Sequence, residues 1–289
     1  MDEGTFGVIG AGQMGRGIAQ VAARSGYRVH LLDASRELAE KGRARIGTAL
    51  DRIVAKGRME QTDRDAVVER IHPAGEYDAL AEASFVVEAA TESLDIKAGI
   101  FGAADRVMNP EAILASNTSS ISLTKLAAAT GRPDRVIGMH FMNPVPVMKL
   151  VEVVRALQTS DPTYDQTCEV ADRLGKTLVT TKDMPGFIVN RILIPMLNEA
   201  CFALQEGLGT AEDIDTSGKL GLNHPMGPFE LADLIGLDTV LYISEVLHRE
   251  FGDDKYRPPT ILRNYVAAGW LGRKAGRGFY RYDDKGQKV

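Results

Sequence analysis

The chain has 289 residues, of which 44% are hydrophobic and 25% are charged, and its formal net charge at pH 7 is -5. This composition is typical of a globular protein long enough for one large domain or two smaller ones. The acidic balance argues against non-specific nucleic-acid binding, which needs a broad basic surface, so we expect any polyanionic ligand to meet a local basic patch.

The cysteine content and the apolar stretches bear on location. Cys168 and Cys201 form neither a disulfide framework nor a metal spacing, so we expect a cytoplasmic protein without a metal centre. Residues 1–4 are acidic and lack the basic region and cleavage site of a signal or transit peptide. The most apolar long stretch, 187–204, contains several polar residues and predicts a helix buried on most sides rather than a membrane span.

The first predicted elements are a strand at 5–9, a glycine turn and a helix. The turn consists of Gly10, Ala11, Gly12, Gln13, Met14 and Gly15. In such a turn the first glycine permits the bend, the second lets the backbone approach a pyrophosphate, and the third allows close packing of helix on strand. The diphosphate then rests on the helix N-terminus. The pattern therefore predicts a dinucleotide-binding site.

The next predicted strand, 27–32, ends in Asp33, at the separation from the glycines where a ribose-binding acid is expected. Its carboxylate would accept hydrogen bonds from the adenosine ribose hydroxyls and repel a 2′-phosphate. We therefore predict NAD (NADH) as the cofactor rather than NADP, although Arg36 nearby can soften that preference. An alternative role for Asp33 is to cap the following helix, and the two roles are compatible.

Residues 36–70 predict a helical insertion, made of a long helix at 36–56 and a shorter one at 63–70 that returns to the sheet near 71–73. The apolar side of the long helix is formed by Leu38, Ile46, Ala49, Leu50 and Ile53. A basic stripe on another side is formed by Lys41, Arg45, Arg52 and Lys56. This stripe is either a solvated face or a docking surface for the phosphates of a nucleotide-bearing substrate.

Polar residues follow two buried-strand runs, 84–89 and 112–116. Because residues beyond the carboxyl end of a parallel strand face the ligand crevice, they are candidates for the nicotinamide side of the site. The candidates are Glu92, Lys97, Asn117 and Ser119. Helix capping is the alternative for the cluster 116–120, and capping or surface pairing is the alternative for Glu92 and Lys97.

A further strand at 136–139 delivers His140 to the same edge. Pro144 and Pro146 then predict a stiff, non-helical turn that leads to an extended segment carrying Glu152. A lone histidine in an apolar segment is more often a hydrogen-bonded core residue than a catalyst. The neighbouring dinucleotide turn, the serine cluster and a carboxylate downstream favour a catalytic role for His140.

The domain organisation follows from the pattern of elements. Strand and helix alternate as far as residue 181, which predicts an α/β fold with a Rossmann-type doubly wound sheet. The linker at 182–186 separates this domain, placed at 1–184, from residues 185–289. The second part predicts an all-α domain, apart from a short segment at 279–282.

The resemblance of the chain to a known family rests on stretches that span nearly its whole length. They are 10–15, 116–120, 140–152, 185–191, 224–229 and 276–280. Together they resemble the L-3-hydroxyacyl-CoA dehydrogenase family, including the bacterial 3-hydroxybutyryl-CoA dehydrogenases. The resemblance implies an NAD-dependent enzyme that interconverts (S)-3-hydroxyacyl-CoA and 3-ketoacyl-CoA, and a homodimer built by the helical C-terminal domain. Met142 departs from the family's usual phenylalanine, and we expect it to alter packing more than chemistry.

The same resemblance implies roles for particular residues. It makes His140 the general acid/base and Glu152 its orienting carboxylate. It assigns Ser119 and Asn190 to hydrogen bonds around the reacting oxygens, and Asn143 to the nicotinamide end of the cofactor.

Contacts farther from the reacting atoms are also implied. Further cofactor contacts fall on Glu92, Lys97 and Lys274. Lys56 matches a coenzyme A contact, while Ala49 stands about where the family can have a CoA-binding serine, which puts that contact in doubt.

Two other functions are compatible with these motifs. An L-gulonate-type hydroxy-acid dehydrogenase of the same fold would use His140 and Glu152 but has no need for the basic stripe. A non-catalytic NAD-binding protein would not need Ser119, His140, Glu152 and Asn190 together.

Overall fold

The computed structural model describes residues 4–289, so the expectation for the first residues of the chain falls largely outside the described part. The chain divides into two compact units, of which the first ends at Met184 and the second covers Pro185–Val289. Each unit has its own cluster of buried apolar side chains.

Within residues 4–184 the chain forms one eight-stranded sheet. Its strands are β1 Thr5–Ile9, β2 Arg28–Leu32, β3 Ile71–Ala74, β4 Phe85–Glu88, β5 Ile113–Ser116, β6 Val136–Phe141, β7 Leu150–Arg155 and β8 Thr177–Lys182. The order across the sheet is β3-β2-β1-β4-β5-β6-β7-β8, and β1 to β6 are parallel. Strand β7 runs antiparallel to β6 and parallel to β8.

Helices connect these strands. They are α1 Gln13–Arg24, α2 Arg36–Val54, α3 Gln61–Glu69, α4 Leu94–Val107, α5 Leu123–Ala127 and α6 Asp161–Arg173, with 3₁₀ turns at Tyr77–Leu80 and Pro133–Arg135. Strands β4, β5 and β6 are completely buried, as apolar strands with helices on both faces must be. The order β3-β2-β1-β4-β5-β6 confirms the predicted Rossmann-type doubly wound sheet. The carboxyl ends of β1 to β6 therefore lie along one edge.

Helices α2 and α3 lie between β2 and β3, as predicted for the insertion, but α2 buries different residues from those expected. Leu38 is 45% exposed and Ala49 is also exposed, so their placement on the apolar side is wrong. The buried stripe runs instead through Gly42 and Leu50. A Cβ on Gly42 would lie 2.8 Å from the Cβ of Ala11, so the small residue lets the helix approach the glycine turn closely.

The second unit is helical. Its helices are α7 Val189–Gln205, α8 Ala211–Thr216, α9 Pro228–Ile235, α10 Leu237–Phe251 and α11 Thr260–Ala267, with a π-helical turn at Ser217–Gly221 and 3₁₀ turns at Asp254–Tyr256 and Arg273–Ala275. The predicted segment at 279–282 forms only isolated bridges, at Arg281 and Tyr282. Across residues 4–289, no helix combines the length and the apolarity needed to cross a membrane.

Helix α7 is enclosed over most of its surface. It buries one stripe, which begins at Asn190 and includes Ile194 and Asn198, whereas Ile192 is 66% exposed. Within residues 187–204 only Ile188, Ile192 and Glu199 are exposed and the others are buried or half-buried, which agrees with the predicted helix buried on most sides. Asn198 can lie in the stripe because its Oδ1 accepts a hydrogen bond of 3.1 Å from the Ser244 hydroxyl of α10.

Buried carboxylates hold the end of the second unit in place. Asp233 of α9 accepts hydrogen bonds from the backbone of Phe279 and Tyr280 and from the Tyr282 hydroxyl. The Tyr280 hydroxyl in turn donates to Asp215 at 2.8 Å. Burial raises the pKa of Asp233, while the donors from Tyr280 and Phe279 oppose that rise.

Candidate active site

The glycine turn after β1 has the three properties that a dinucleotide turn requires. Gly10 has a φ of 104°, which favours glycine, and a Cβ there would lie 2.7 Å from the Ala89 carbonyl oxygen. A Cβ on Gly15 would lie 1.7 Å from the Gly10 carbonyl oxygen, so only glycine allows the first turn of α1 to pack this closely on Gly10. A Cβ on Gly12, by contrast, would have no atom of the described chain within 4 Å. This open space beside the N-terminus of α1 fits the diphosphate of NAD.

Asp33 lies at the end of β2 and joins two turns. Its Oδ2 accepts a hydrogen bond of 2.7 Å from the Ala11 amide, and its Oδ1 accepts one of 2.7 Å from the Ala34 amide. The alternative role as helix cap is wrong, because the Ser35 hydroxyl caps α2 by accepting from the Leu38 amide. Arg36, which can soften the preference for NAD, forms an exposed ion pair with Glu40.

Arg16 brings a positive charge to the glycine turn. Arg16 of α1 donates from Nη1 to the Ala11 carbonyl oxygen at 3.1 Å. Burial lowers the pKa of the Arg16 guanidinium, and repulsion from Arg45 of α2 lowers it further. An arginine remains charged after such a shift, so Arg16 favours an anion at this turn.

Glu92 and the residues after β5 form one hydrogen-bonded unit. Glu92 Oε1 accepts hydrogen bonds from the Thr118 hydroxyl at 2.6 Å and from the Ser119 amide at 2.9 Å. It also accepts from the Ser119 hydroxyl and from the amide and hydroxyl of Ser120. Glu92 therefore fixes the backbone that carries Ser119.

The capping alternative for the serine cluster is wrong, because other residues cap the following helix. The Ser122 hydroxyl accepts a hydrogen bond from the Lys125 amide. Asp183 accepts hydrogen bonds from the Ser122 hydroxyl and from the amides of Leu123 and Thr124. Sequence reasoning missed Asp183, since its partners lie some sixty residues away along the chain.

Lys97 lies inside the first unit. It is 1% exposed, and its Nζ lies 2.7 Å from Glu88 Oε1 and 3.6 Å from Glu92 Oε2. Its contact with the cofactor stays a prediction. Sequence reasoning missed Glu88, although an acidic residue that ends an otherwise apolar strand was a visible signal.

His140 and Glu152 are paired by the register of the sheet. His140 lies in β6 opposite Glu152 in the antiparallel strand β7. The His140 Nδ1 lies 2.7 Å from Glu152 Oε2, and the two residues are 8% and 0% exposed. The structure thus confirms that a turn between two strands brings them together. A buried carboxylate on Nδ1 sets the tautomer in which Nε2 is the proton acceptor.

The turn between β6 and β7 is held from both sides. Asn143 Oδ1 accepts a hydrogen bond of 3.0 Å from the Gln13 side chain, which links the turn to α1. The Lys176 ammonium donates to the carbonyl oxygens of Val145 and Met148. Burial lowers the pKa of Lys176, with a smaller contribution from Arg24. Sequence reasoning did not identify Lys176, because a lysine after a helix carries no distinguishing pattern.

Asn117 occupies a position between two strand ends. Its Oδ1 accepts a hydrogen bond of 2.9 Å from the Phe141 amide, and so it ties the end of β5 to the residue after His140. This contact supports the geometry of the histidine, while the cofactor contact of Asn117 stays a prediction. Met142, the departure from the family pattern, is half-buried beside it.

The remaining predicted residues lie elsewhere. Lys56 follows α2 and is exposed, as are Arg45 and Arg52, whereas Lys41 forms an ion pair of 2.7 Å with Glu37. Asn190 and Lys274 belong to the second unit, where Asn190 is 7% exposed and Lys274 Nζ lies 2.6 Å from Asp238. Their contacts with substrate and cofactor stay predictions. Within residues 4–289, no cluster of histidine, cysteine and acidic side chains has a geometry that could hold a metal ion.

A dinucleotide turn and a histidine–carboxylate pair on one edge of a doubly wound sheet define a nicotinamide-dependent dehydrogenase. Comparison with known proteins specifies the family. The model of the 3-hydroxyacyl-CoA dehydrogenase NAD binding domain matches residues 5–184, and the model of the C-terminal domain of 3-hydroxyacyl-CoA dehydrogenase matches residues 186–282. The chain belongs to the 3-hydroxyacyl-CoA dehydrogenase family.

Individual relatives agree over nearly the full length. The 3-hydroxybutyryl-CoA dehydrogenase of Bradyrhizobium diazoefficiens is 52% identical, over 96% of this chain and 94% of its own. The crystal structure of (S)-3-hydroxybutyryl-CoA dehydrogenase PaaH1 from Ralstonia eutropha is 51% identical with a TM-score of 0.93, over 97% of this chain and 99% of that chain. The crystal structure of FadB2 from M. tuberculosis is 45% identical with a TM-score of 0.94, over 96% and 98% of the respective chains.

Substitutions in the glycine turn should separate cofactor contact from folding. Gly12 has a φ of -67°, which alanine adopts without strain, so Gly12→Ala should leave the melting temperature unchanged. Its methyl group would occupy the space that fits the diphosphate and should raise the Kd for NADH about tenfold or more, a loss of about 1.4 kcal/mol. Fluorescence titration with NADH and a thermal melt measure the two quantities.

Matched glycines supply the controls. Gly15→Ala should lower both the melting temperature and NADH affinity, because its Cβ would clash with Gly10. Gly99→Ala also enters open space, on the exposed side of α4, and should leave NADH binding unchanged. Unchanged NADH affinity in Gly12→Ala would contradict the placement of the diphosphate.

Proposed function

We propose that the protein is an NAD-dependent dehydrogenase that interconverts (S)-3-hydroxybutyryl-CoA and acetoacetyl-CoA. The observation that carries this proposal is the His140–Glu152 pair, 2.7 Å apart, at the carboxyl edge of a sheet with a dinucleotide turn. The relatives from Bradyrhizobium diazoefficiens and Ralstonia eutropha, both named for 3-hydroxybutyryl-CoA, support the substrate.

The proton chemistry belongs to His140. In the oxidising direction Nε2 takes the proton of the 3-hydroxyl, and in the reducing direction it returns a proton to the 3-keto oxygen. Glu152 accepts the hydrogen bond from Nδ1, holds the ring in one orientation and stabilises the imidazolium that forms. Because Glu152 is fully buried, little solvent screens its charge from the ring.

Bound NAD supplies the acceptor for the hydride that leaves C3, and NADH supplies the donor in the reverse direction. The backbone of the glycine turn, with Gln13 and Met14, would hold its diphosphate, and Asp33 its adenosine ribose. Asn143 would bind the nicotinamide end. Glu92, Lys97, Asn117 and Lys274 complete the proposed set of residues at the cofactor.

The reacting oxygen requires hydrogen-bond donors as charge develops on it. We assign this role to the Ser119 hydroxyl and the Asn190 side-chain amide. The hydrogen bond from the Ser119 amide to Glu92 keeps that serine in one position, and the Ser119 hydroxyl, which donates to Glu92 at 3.2 Å, would turn its proton from Glu92 to the reacting oxygen.

The nucleotide part of coenzyme A is assigned to the basic stripe. Arg45, Arg52 and Lys56 are exposed on α2 and the turn after it, and within the described residues no acidic side chain forms an ion pair with them. Unpaired exposed cations suit the phosphates of CoA, for which the acidic protein otherwise has no broad basic surface.

The domain roles belong to the same proposal. Residues 1–184 form the NAD-binding domain with its helical insertion, and residues 185–289 form the domain for substrate binding and dimerisation. Exposed leucines of the second unit support a homodimer, since Leu208, Leu220 and Leu222 are 82%, 83% and 65% exposed. We also propose that the protein is cytoplasmic.

Replacing the proposed acid/base tests the function. His140→Gln should bind NADH with wild-type affinity yet lose about 10²- to 10⁴-fold in kcat, because no other group would exchange the proton. Stopped-flow absorbance of NADH with acetoacetyl-CoA gives kcat. The control is His72→Gln, a histidine of β3 at the far edge of the sheet, which should keep its turnover. Turnover of His140→Gln close to that of His72→Gln would refute the assignment.

The basic stripe gives a separate test. Lys56→Ala should raise the KM for acetoacetyl-CoA about three- to tenfold, since one exposed contact between charges is worth about 1 kcal/mol. The KM for acetoacetyl-pantetheine, which lacks the nucleotide, should not change. Lys125→Ala, an exposed lysine of α5, serves as the matched control. Equal effects of Lys56→Ala on the two KM values would show that the stripe is a solvated face that does not bind the nucleotide of CoA.

A further inference from the structure

Glu88, the last residue of β4, is an acidic side chain without exposed surface. Its Oε1 accepts hydrogen bonds from the Ala90 amide at 2.6 Å and the Lys97 ammonium at 2.7 Å. Its Oε2 accepts one of 2.7 Å from the Ser116 hydroxyl. A buried ion pair is seldom the most stable filling of a protein core, and an apolar pair of similar size often does better. These charges therefore point to a role beyond stability.

On one side, Glu88 determines the surface on which the glycine turn rests. Gly10 packs against the backbone of Ala89 and Ala90, since a Cβ on Gly10 would lie 2.7 Å from the Ala89 oxygen and 3.0 Å from the Ala90 nitrogen. The Ala89 amide donates to the Ile9 carbonyl oxygen at 2.7 Å. Because the Glu88 carboxylate holds the Ala90 amide, it fixes the peptide that the dinucleotide turn contacts.

On the other side, Glu88 reaches the serine cluster by two routes. The Ser116 hydroxyl, which donates to Glu88, accepts a hydrogen bond of 3.2 Å from the Thr118 amide. The Lys97 ammonium, which also donates to Glu88, lies 3.6 Å from Glu92 Oε2. Glu92 in turn holds Ser119 through its amide and hydroxyl.

We propose that Glu88 is a positioning residue. It holds the glycine turn and the loop after β5 that carries Ser119 at a fixed distance from each other, so that the cofactor and the substrate oxygen are held at the correct separation. The inference rests on the proposed function, because it takes the glycine turn as the NAD site and Ser119 as a donor to the substrate. Glu88 itself contacts neither ligand, since it has no exposed surface.

The role requires a carboxylate and not merely a polar side chain. In the observed network every hydrogen bond runs toward Glu88, from Ala90, from Lys97, and from Thr118 through Ser116. A glutamine would direct an amide donor at one of these donors, and the chain of hydrogen bonds would have to break there or reverse. The substitution Glu88→Gln therefore changes direction and charge while it keeps the volume.

The test compares Glu88→Gln with Asp105→Asn. Asp105 of α4 also forms a part-buried ion pair, 2.6 Å from Arg132, but its partners lie before β6, away from the carboxyl edge. Glu88→Gln should raise the Kd for NADH and lower kcat, each about ten- to hundredfold, as expected for a lost charge-assisted hydrogen bond. The KM for acetoacetyl-CoA should stay near the wild-type value, because the basic stripe on α2 is untouched. Asp105→Asn should lower the melting temperature while both NADH affinity and kcat remain at wild-type values.

A further variant distinguishes positioning from charge neutralisation. If Glu88 only neutralises Lys97, Ser116→Ala, which keeps the Glu88–Lys97 ion pair, should show wild-type kcat and NADH affinity, and that result would overturn the proposal. The proposal expects Ser116→Ala to be impaired in both quantities, because the link from Glu88 through the Ser116 hydroxyl to the Thr118 amide is lost. If Glu88→Gln does not fold, Ser116→Ala decides the question, because it removes only the hydroxyl link and should still lower kcat several-fold.

Failure of this inference differs from failure of the proposed function. If the wild-type protein binds NADH but does not reduce acetoacetyl-CoA, the proposed function fails, and the NADH affinities still report on Glu88. If the wild-type protein is active and Glu88→Gln matches it in both kcat and NADH affinity, or shares its losses with Asp105→Asn, Glu88 has no positioning role.

Discussion

The geometry of the proposed site depends on carboxylates that are buried away from water. Glu88 and Glu152 have no exposed surface, and both lie in strands of the sheet that carries the site. A carboxylate can leave water only where fixed donors replace its hydration. The ring of His140 is a partner of Glu152, and Glu88 accepts hydrogen bonds from the Ala90 amide, the Lys97 ammonium and the Ser116 hydroxyl. The need to satisfy these charges therefore fixes the geometry of His140 and of the loops at the proposed site.

The parallel sheet makes this arrangement possible. Its carboxyl ends bring together a glycine turn after β1, the Glu92 loop after β4 and the serine loop after β5. The antiparallel strand β7 then lies directly against β6, and this register places Glu152 opposite His140. Local sequence motifs thus meet because strand order and direction place them at one edge.

Patterns that depend on neighbouring residues were predictable from the sequence, and contacts between distant residues were not. The glycine turn, the alternation of strand and helix, and the pairing of His140 with Glu152 follow from spacing and turn chemistry, together with the family resemblance. The burial of α2 was predicted wrongly, because Leu38 is apolar but exposed, while Gly42 makes the close contact. The partners of Lys97 and Asp183 were missed, since a hydrogen bond across elements leaves no periodic signal in the chain.

The most direct measurement of the central claim is the absorbance of NADH at steady state with the purified wild-type protein. The account predicts rapid oxidation of NADH by acetoacetyl-CoA, slower oxidation of NADPH because the proposed ribose contact of Asp33 would repel a 2′-phosphate, and no reduction of NAD by L-gulonate. Faster turnover of L-gulonate than of the CoA substrate, or NADH binding with no turnover of acetoacetyl-CoA, would contradict it.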